Sequence, residues 1–144
     1  MLDHTGFVVS DLAKARCFYD AIAQALGLAT IANSEQSFLL GKSKEEPIPY
    51  LWIGTLRPSY WAEGSRAGLN QTHIAFRAAK KDMVHAFHEG GIAAGGGDHG
   101  APHDVLELSH VARPRVVLER VHQRLWHLRD LSPQVALMTV DKEP

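Results

Sequence analysis

Histidine is the residue type in this sequence with the clearest capacity for chemistry. The chain of 144 residues contains nine histidines, and imidazole is both a common metal ligand and the side chain whose ordinary pKa lies nearest neutrality. His85 and His88 lie three residues apart on a predicted helix, where a solvated helix surface explains them. His99 and His103 flank a glycine-rich loop and are interpreted as solvated loop residues. The number of histidines therefore does not by itself predict a metal site.

Three aromatic residues are candidates for the wall of a binding site. Trp52 lies on a predicted strand, and Tyr60 and Trp61 lie in a long connection rich in proline and glycine. Connections run over the protein surface, and aromatic side chains there are typical of ligand-binding segments. The sequence therefore predicts Trp52, Tyr60 and Trp61 as substrate-binding residues.

Composition and charge exclude several classes of function. The apolar fraction is 45%, and 15 basic against 16 acidic residues give a net charge of -1, which argues against nucleic acid as a partner. No run approaches the ~20 apolar residues that span a membrane, and the N-terminus does not resemble a signal peptide. A single cysteine, Cys17, excludes an intramolecular disulfide, and its apolar surroundings predict a buried thiol. We expect a cytoplasmic protein that binds a small molecule.

The order of predicted elements repeats once along the chain. A strand at residues 2–9 and a helix after Asp11 precede three short strands at 29–32, 37–40 and 50–53. A second strand and helix follow at 70–77 and 80–89, about seventy residues after the first. Two similar halves of this kind predict an α+β fold. We divide the single domain, residues 1–144, into a first module (1–54), a connection (55–69), a second module (70–121) and an atypical extension of helix or strand (122–144).

Four segments resemble the vicinal oxygen chelate superfamily, which includes glyoxalase I, bleomycin resistance proteins and extradiol dioxygenases. They are LDHTGFVVSDL at residues 2–12, YLWIG at 50–54, THIAF at 72–76 and GGGDHGAP at 95–102. The second and fourth are similar to a glyoxalase-like bacterial subgroup. The resemblance covers roughly residues 1–103, and the order and spacing of the segments are its most specific part.

The resemblance implies two βαβββ modules that pair into a curled mixed sheet around a divalent metal ion. His4 and His73 stand where the first and second metal ligands of the family lie. The implied third ligand is a glutamate on the last strand, for which Glu119 and, earlier in the chain, Glu107 are the candidates. Two imidazoles and one carboxylate suit zinc, iron, manganese or nickel.

The sequence departs from the family pattern after Pro102, and two interpretations of Glu119 stay open. Glu119 belongs either to a short strand at residues 115–121, followed by a helix from about Val121, or to an amphipathic helix that starts at Pro114 and runs to Leu131. In the helix, Glu119 lies on the solvated face and the third ligand is missing.

The resulting prediction is a metal-dependent lyase, isomerase or dioxygenase that acts on a small oxygenated molecule, in a homodimer that binds neither nucleic acid nor membrane. The alternative is a metal-free protein that sequesters a drug or another small ligand, as in the bleomycin-resistance branch of the family.

Overall fold

The structure, a computed structural model, describes residues 2–65, 73–98, 101–105, 120–125 and 134–140. The first module contains β1 (His4–Val8), α1 (Leu12–Leu26), β2 (Ala29–Ser34), β3 (Ser37–Gly41) and β4 (Tyr50–Gly54). The second contains β5 (His73–Ala78), α2 (Lys81–Ala93), β6 (His103–Val105), β7 (Arg120–Leu125) and β8 (Gln134–Val140). This order of elements confirms the predicted α+β fold of two βαβββ modules.

Each module forms a four-stranded mixed sheet, and the two sheets have matching topology. Their strand orders are β1-β4-β3-β2 and β5-β8-β7-β6. In each sheet the first strand of the module runs parallel to the last, and the strand before the last runs antiparallel to both its neighbours. His4 is in register with Tyr50, the first residue of β4, and His73 is in register with Gln134, the first residue of β8. The two histidines therefore hold equivalent backbone positions.

Helix α1 begins and ends where its capping residues predict. The Asp11 carboxylate accepts a hydrogen bond from the Lys14 backbone N–H at 3.0 Å, as an N-cap residue does. Gly27 adopts the left-handed conformation, with φ of 66°, and its N–H bonds to the carbonyls of Ala23 and Gln24, which closes the helix. Cys17 lies away from the buried face and is exposed, so the prediction of a buried thiol is wrong.

Among the described residues, the core lies between the first sheet, the two helices and β5, whose Ala78 is fully buried. Alternate residues of β1 and β4, among them Phe7, Leu51 and Ile53, are buried on the side of the sheet that α1 covers. Helix α1 also packs against α2, and Val84 and Phe87 of α2 join the same apolar cluster. The opposite side of β1 and β4 faces away from α1. No helix within the described ranges is long and apolar enough to cross a membrane.

The second sheet continues past residue 121, the predicted end of the second module. Residues Arg120–Leu125 form strand β7, so the interpretations that make them helical are wrong for this segment. The apolar spacing of Val121 and Leu125 is compatible with one face of either a helix or a strand. Antiparallel pairing with β6 and β8 selects the strand, because it supplies backbone partners on both sides. Strand β8 then reaches Val140, within the segment predicted as an extension.

Candidate functional site

A cleft of about 480 Å³ lies on the side of β1 and β4 that faces away from α1. Its lining combines the first strand, the centre of β4 and the start of the connection between the modules: His4, Thr5, Gly6, Phe7, Val8, Trp52, Pro58, Tyr60 and Trp61. Four residues singled out from the sequence, one histidine and three aromatic residues, are thus brought to one place. Their roles in binding stay predictions.

The imidazole of His4 is oriented by two neighbours. Its Nδ1 atom lies 2.6 Å from Oδ1 of Asp3, and its ring stacks on the Tyr50 ring with the centroids 4.9 Å apart and the planes 7° from parallel. A carboxylate at Nδ1 favours the tautomer whose proton lies on that nitrogen, which leaves the Nε2 lone pair to accept a proton or bind a metal. The His4 side chain is 55% exposed, so an incoming group can reach Nε2.

The connection after β4 places its aromatic residues at the rim of the cleft. The backbone N–H of Trp61 donates to the carbonyl of Pro58 at 3.2 Å, which turns the chain back on itself. The Arg57 guanidinium donates to the carbonyl of Ala62 at 2.9 Å and ties the far side of the same turn. Tyr60, at the tip of the turn, is 85% exposed. Its ring is therefore available to a ligand in the cleft.

The other predicted metal ligands belong to the second module. His73 is the first residue of β5, in the second sheet, whereas His4 is in the first. Glu119 and Glu107 lie outside the described residues. Strand β8, the last strand of the second module, contains no acidic residue. Within the ranges that the structure describes, no three His, Cys, Asp or Glu side chains are grouped as a metal site.

Sequence reasoning missed Asp3 and Tyr50 as partners of His4. Adjacent residues of a strand point to opposite sides of the sheet, so an Asp directly before a strand histidine is not expected to reach it. In the structure the two side chains nevertheless meet at the start of β1, where the Asp3 carbonyl also accepts from the Tyr50 N–H at 3.2 Å. Tyr50 meets His4 through the parallel register of β1 and β4, for which the sequence carries no local signal.

No protein-family model and no curated protein matches the sequence, but solved structures match the fold over nearly the whole chain. A glyoxalase/bleomycin resistance protein from Albidiferax ferrireducens T118 is 22% identical, with a TM-score of 0.60, and the match covers 96% of this chain and 97% of that one. A glyoxalase/bleomycin resistance protein/dioxygenase from Alicyclobacillus acidocaldarius is 12% identical, with a TM-score of 0.52 and coverage of 96% and 89%.

A third solved structure, TioX from Micromonospora sp. ML1, is similar over 99% of both chains, at 11% identity and a TM-score of 0.57. At these identities the likeness is one of fold. The chain has the fold of the glyoxalase/bleomycin resistance/dioxygenase proteins, as the resemblance of its sequence to the vicinal oxygen chelate superfamily implies.

Proposed function

We propose that this protein uses a divalent metal ion, bound through His4 and His73, to act as a lyase, isomerase or dioxygenase on a small oxygenated molecule in the cleft. The observation that carries the proposal is the oriented imidazole of His4 at the cleft. Asp3 holds Nδ1 and Tyr50 stacks on the ring, an arrangement that suits a metal-binding histidine, since such residues usually donate their other ring nitrogen to a carboxylate or carbonyl.

The matching register of the two modules supports His73 as the second ligand. His4 and His73 each begin the first strand of a module, and each is aligned with the first residue of the last strand of that module. The fold thus gives both residues the same backbone setting. Glu119 remains the proposed third ligand and Glu107 its alternative. Zinc, iron, manganese and nickel all accept imidazole with carboxylate ligands.

The residues of the cleft would have separate roles in binding the metal and the substrate. A bound divalent metal supplies Lewis acidity that stabilises negative charge on a substrate oxygen. His4 would hold it through Nε2, and Asp3 would fix the direction of that nitrogen. Trp52, Tyr60 and Trp61 would bind the carbon skeleton of the substrate and exclude water from it.

A metal-free ligand-binding protein is the second candidate. Two observations favour it: the cleft has aromatic side chains on its floor and rim, and β8 supplies no carboxylate. Such a protein would sequester a drug-like molecule and leave it chemically unchanged.

The homodimer predicted from the sequence also stays a proposal, and the sheets suggest how it would form. Among the described strands, β1 and β5 lie at the edges of their sheets, and edge strands present backbone groups that readily pair with another chain. Parallel, in-register pairing of β1 with β5 of a second copy would bring His4 of one chain to His73 of the other. In solution we expect a species of twice the chain mass of 15.9 kDa, measured by light scattering.

Metal analysis of the purified protein tests the function. We expect one metal ion for each chain after reconstitution with zinc, manganese, nickel or ferrous ions, and loss of binding in His4→Ala and His73→Ala. His85→Ala, which alters an exposed histidine on α2, should bind metal normally. Absence of metal in reconstituted wild-type protein would contradict the proposed metal-dependent enzyme. Thermal stabilisation by a ligand in the presence of chelator would then support the metal-free sequestering protein.

Mixing the two variants tests whether the site is shared between chains. If His4 and His73 of different chains form each site, a heterodimer of His4→Ala and His73→Ala chains regains one intact site of two, or about a quarter of the wild-type capacity after random exchange. If both histidines of one chain form the site, the mixture binds no metal.

A further inference from the structure

We propose that the indole of Trp52 is a stacking platform shaped by Gly6 and Gly54, and that it makes the cleft selective for flat aromatic rings. The proposal deepens the proposed function, since it rests on the cleft being the site that binds a small molecule, and it names the class of that molecule. It does not depend on metal.

The first observation is the space that the two glycines leave. A Cβ atom on Gly54 would lie 2.4 Å from Cζ2 and 2.5 Å from Cη2 of Trp52, and a Cβ on Gly6 would lie 3.1 Å from Cε3. The indole therefore occupies the volume that side chains at both positions would fill. A side chain at Gly54 would collide with the indole and with the Gln36 carbonyl, whereas one at Gly6 would press more lightly on Trp52.

The second observation is where this ring lies. Gly6 is the cross-strand partner of Trp52 on β1, and Gly54 is two residues further along β4. All three side-chain positions face the cleft, because the intervening residues, Leu51 and Ile53, are buried on the α1 side of the sheet. One face of the indole thus rests on glycine backbone, and Trp52 remains half-buried and lines the cleft.

The floor continues as a row of rings towards His4. The stacked pair of His4 and Tyr50 is two residues before Gly6 and Trp52, and therefore on the same side of the sheet. Tyr60 and Trp61 border the same cleft from the connection. Stacked or edge-to-face aromatic pairs are favourable beyond the area that they bury. A flat ring on Trp52 would meet aromatic groups along the floor and at the rim, and a substituent oxygen on that ring could reach Nε2 of His4.

Two bicyclic acids of the same charge and carbon skeleton test the platform. We would titrate the full chain, with chelator present, with 2-naphthoate and with its saturated counterpart decahydro-2-naphthoate, by isothermal calorimetry. We expect 2-naphthoate to bind about 2- to 12-fold more tightly than the saturated acid, because only the former has a π face for the indole. Equal affinities, or no binding of 2-naphthoate to the folded wild-type protein, would overturn the proposal.

Single substitutions test whether Trp52 is the source of the preference for the flat acid. Trp52→Leu should remove the preference for the flat acid, and Gly54→Ala should weaken it by displacing the indole. Gly90→Ala is the matched control, since a Cβ there lies at an ordinary 3.6 Å from its nearest neighbour, on α2 away from the cleft. If Gly54→Ala fails to fold, Trp52→Leu still decides: an unchanged ratio of affinities contradicts the platform.

The two proposals fail in distinguishable ways. If 2-naphthoate binds in the presence of chelator and His4 and His73 take up no metal, the proposed metal-dependent activity is contradicted and the Trp52 platform is supported. If the protein takes up metal but binds the two acids with equal affinity, the metal site is supported and the Trp52 platform is contradicted.

Discussion

The imidazole of His4 and the phenol ring of Tyr50 lie face to face, 4.9 Å apart and nearly parallel. This stack joins two strands whose residues are far apart in the sequence, and it restricts the plane of the ring that we propose to bind metal. Together with the hydrogen bond to Asp3, it leaves the imidazole little freedom to turn. Both partners can be tested separately.

Replacement of Tyr50 by a non-aromatic residue should give the His4 ring more rotational freedom and so lower its affinity for metal. In Tyr50→Leu we expect metal affinity to fall about 2- to 12-fold, since an aromatic pair contributes roughly 0.5–1.5 kcal/mol beyond its buried area. Tyr50→Phe retains the ring and should bind metal as the wild type does. The measurement is a calorimetric metal titration of all three proteins, and equal losses in both variants would show that the ring stack is not the cause.

Replacement of Asp3 should have a larger effect on the same titration. Asp3→Asn removes the charge next to Nδ1 of His4 and allows the other tautomer, so we expect metal affinity to fall about 10- to 100-fold, as is usual for outer-shell partners of ligating histidines. Glu35→Gln, an exposed carboxylate in the turn between β2 and β3, is the control. An Asp3→Asn protein with wild-type affinity would remove Asp3 from the site.

Tyr19 offers a test of the core that does not depend on function. Its ring lies among Phe7, Phe18 and Phe38, and burial raises the pKa of its hydroxyl far above the ordinary value of 10.0. A buried hydroxyl in apolar surroundings adds little stability. Tyr19→Phe should therefore match the wild type at pH 7 or exceed it by up to about 2 kcal/mol in unfolding free energy, measured by urea denaturation.

The same variant should differ from the wild type in its response to alkali. The folded state keeps the Tyr19 proton at pH values where the unfolded chain releases it, so the unfolding free energy falls as pH rises past the unfolded pKa. This residue contributes a loss of about 1.4 kcal/mol per pH unit above pH ~10, which Tyr19→Phe lacks. Parallel pH profiles for the two proteins would contradict the burial of this hydroxyl.

The N-cap of α1 should contribute measurably to the free energy of unfolding. Asp11→Ala removes the side-chain acceptor for the Lys14 N–H, and we expect a loss of about 1 kcal/mol in urea denaturation. Glu35→Ala changes an exposed turn residue and should shift the unfolding free energy by less than about 0.5 kcal/mol. A similar small shift in Asp11→Ala would show that the cap contributes nothing.

The parts of this fold that depend on local signals are predictable from the sequence, and those that depend on long-range pairing are not. Asp11 and Gly27 mark the ends of α1 because capping is a property of a few adjacent residues. The segment around Val121 carries an apolar spacing that fits helix and strand alike, and only its pairing with β6 and β8 decides between them.

The candidate site shows the same division. His4, Trp52, Tyr60 and Trp61 are recognisable by residue type and by their place on a strand or connection, and they do line one cleft. The stack on Tyr50 and the place of Gly6 beside Trp52 follow from the parallel register of β1 with β4, which no local pattern specifies.

The close approach of the two helices also bears on how the protein folds. Gly90 of α2 lies near the carbonyl of Ala21 of α1, and Val84 and Phe87 share one apolar cluster with Phe18 and Ile22. Although the order of elements repeats, this cluster takes buried residues from both halves, with Ala78, Val84 and Phe87 of the second half joining those of the first. We therefore expect the halves to unfold in a single cooperative transition, and the first half expressed alone to expose the face of α1 that α2 covers.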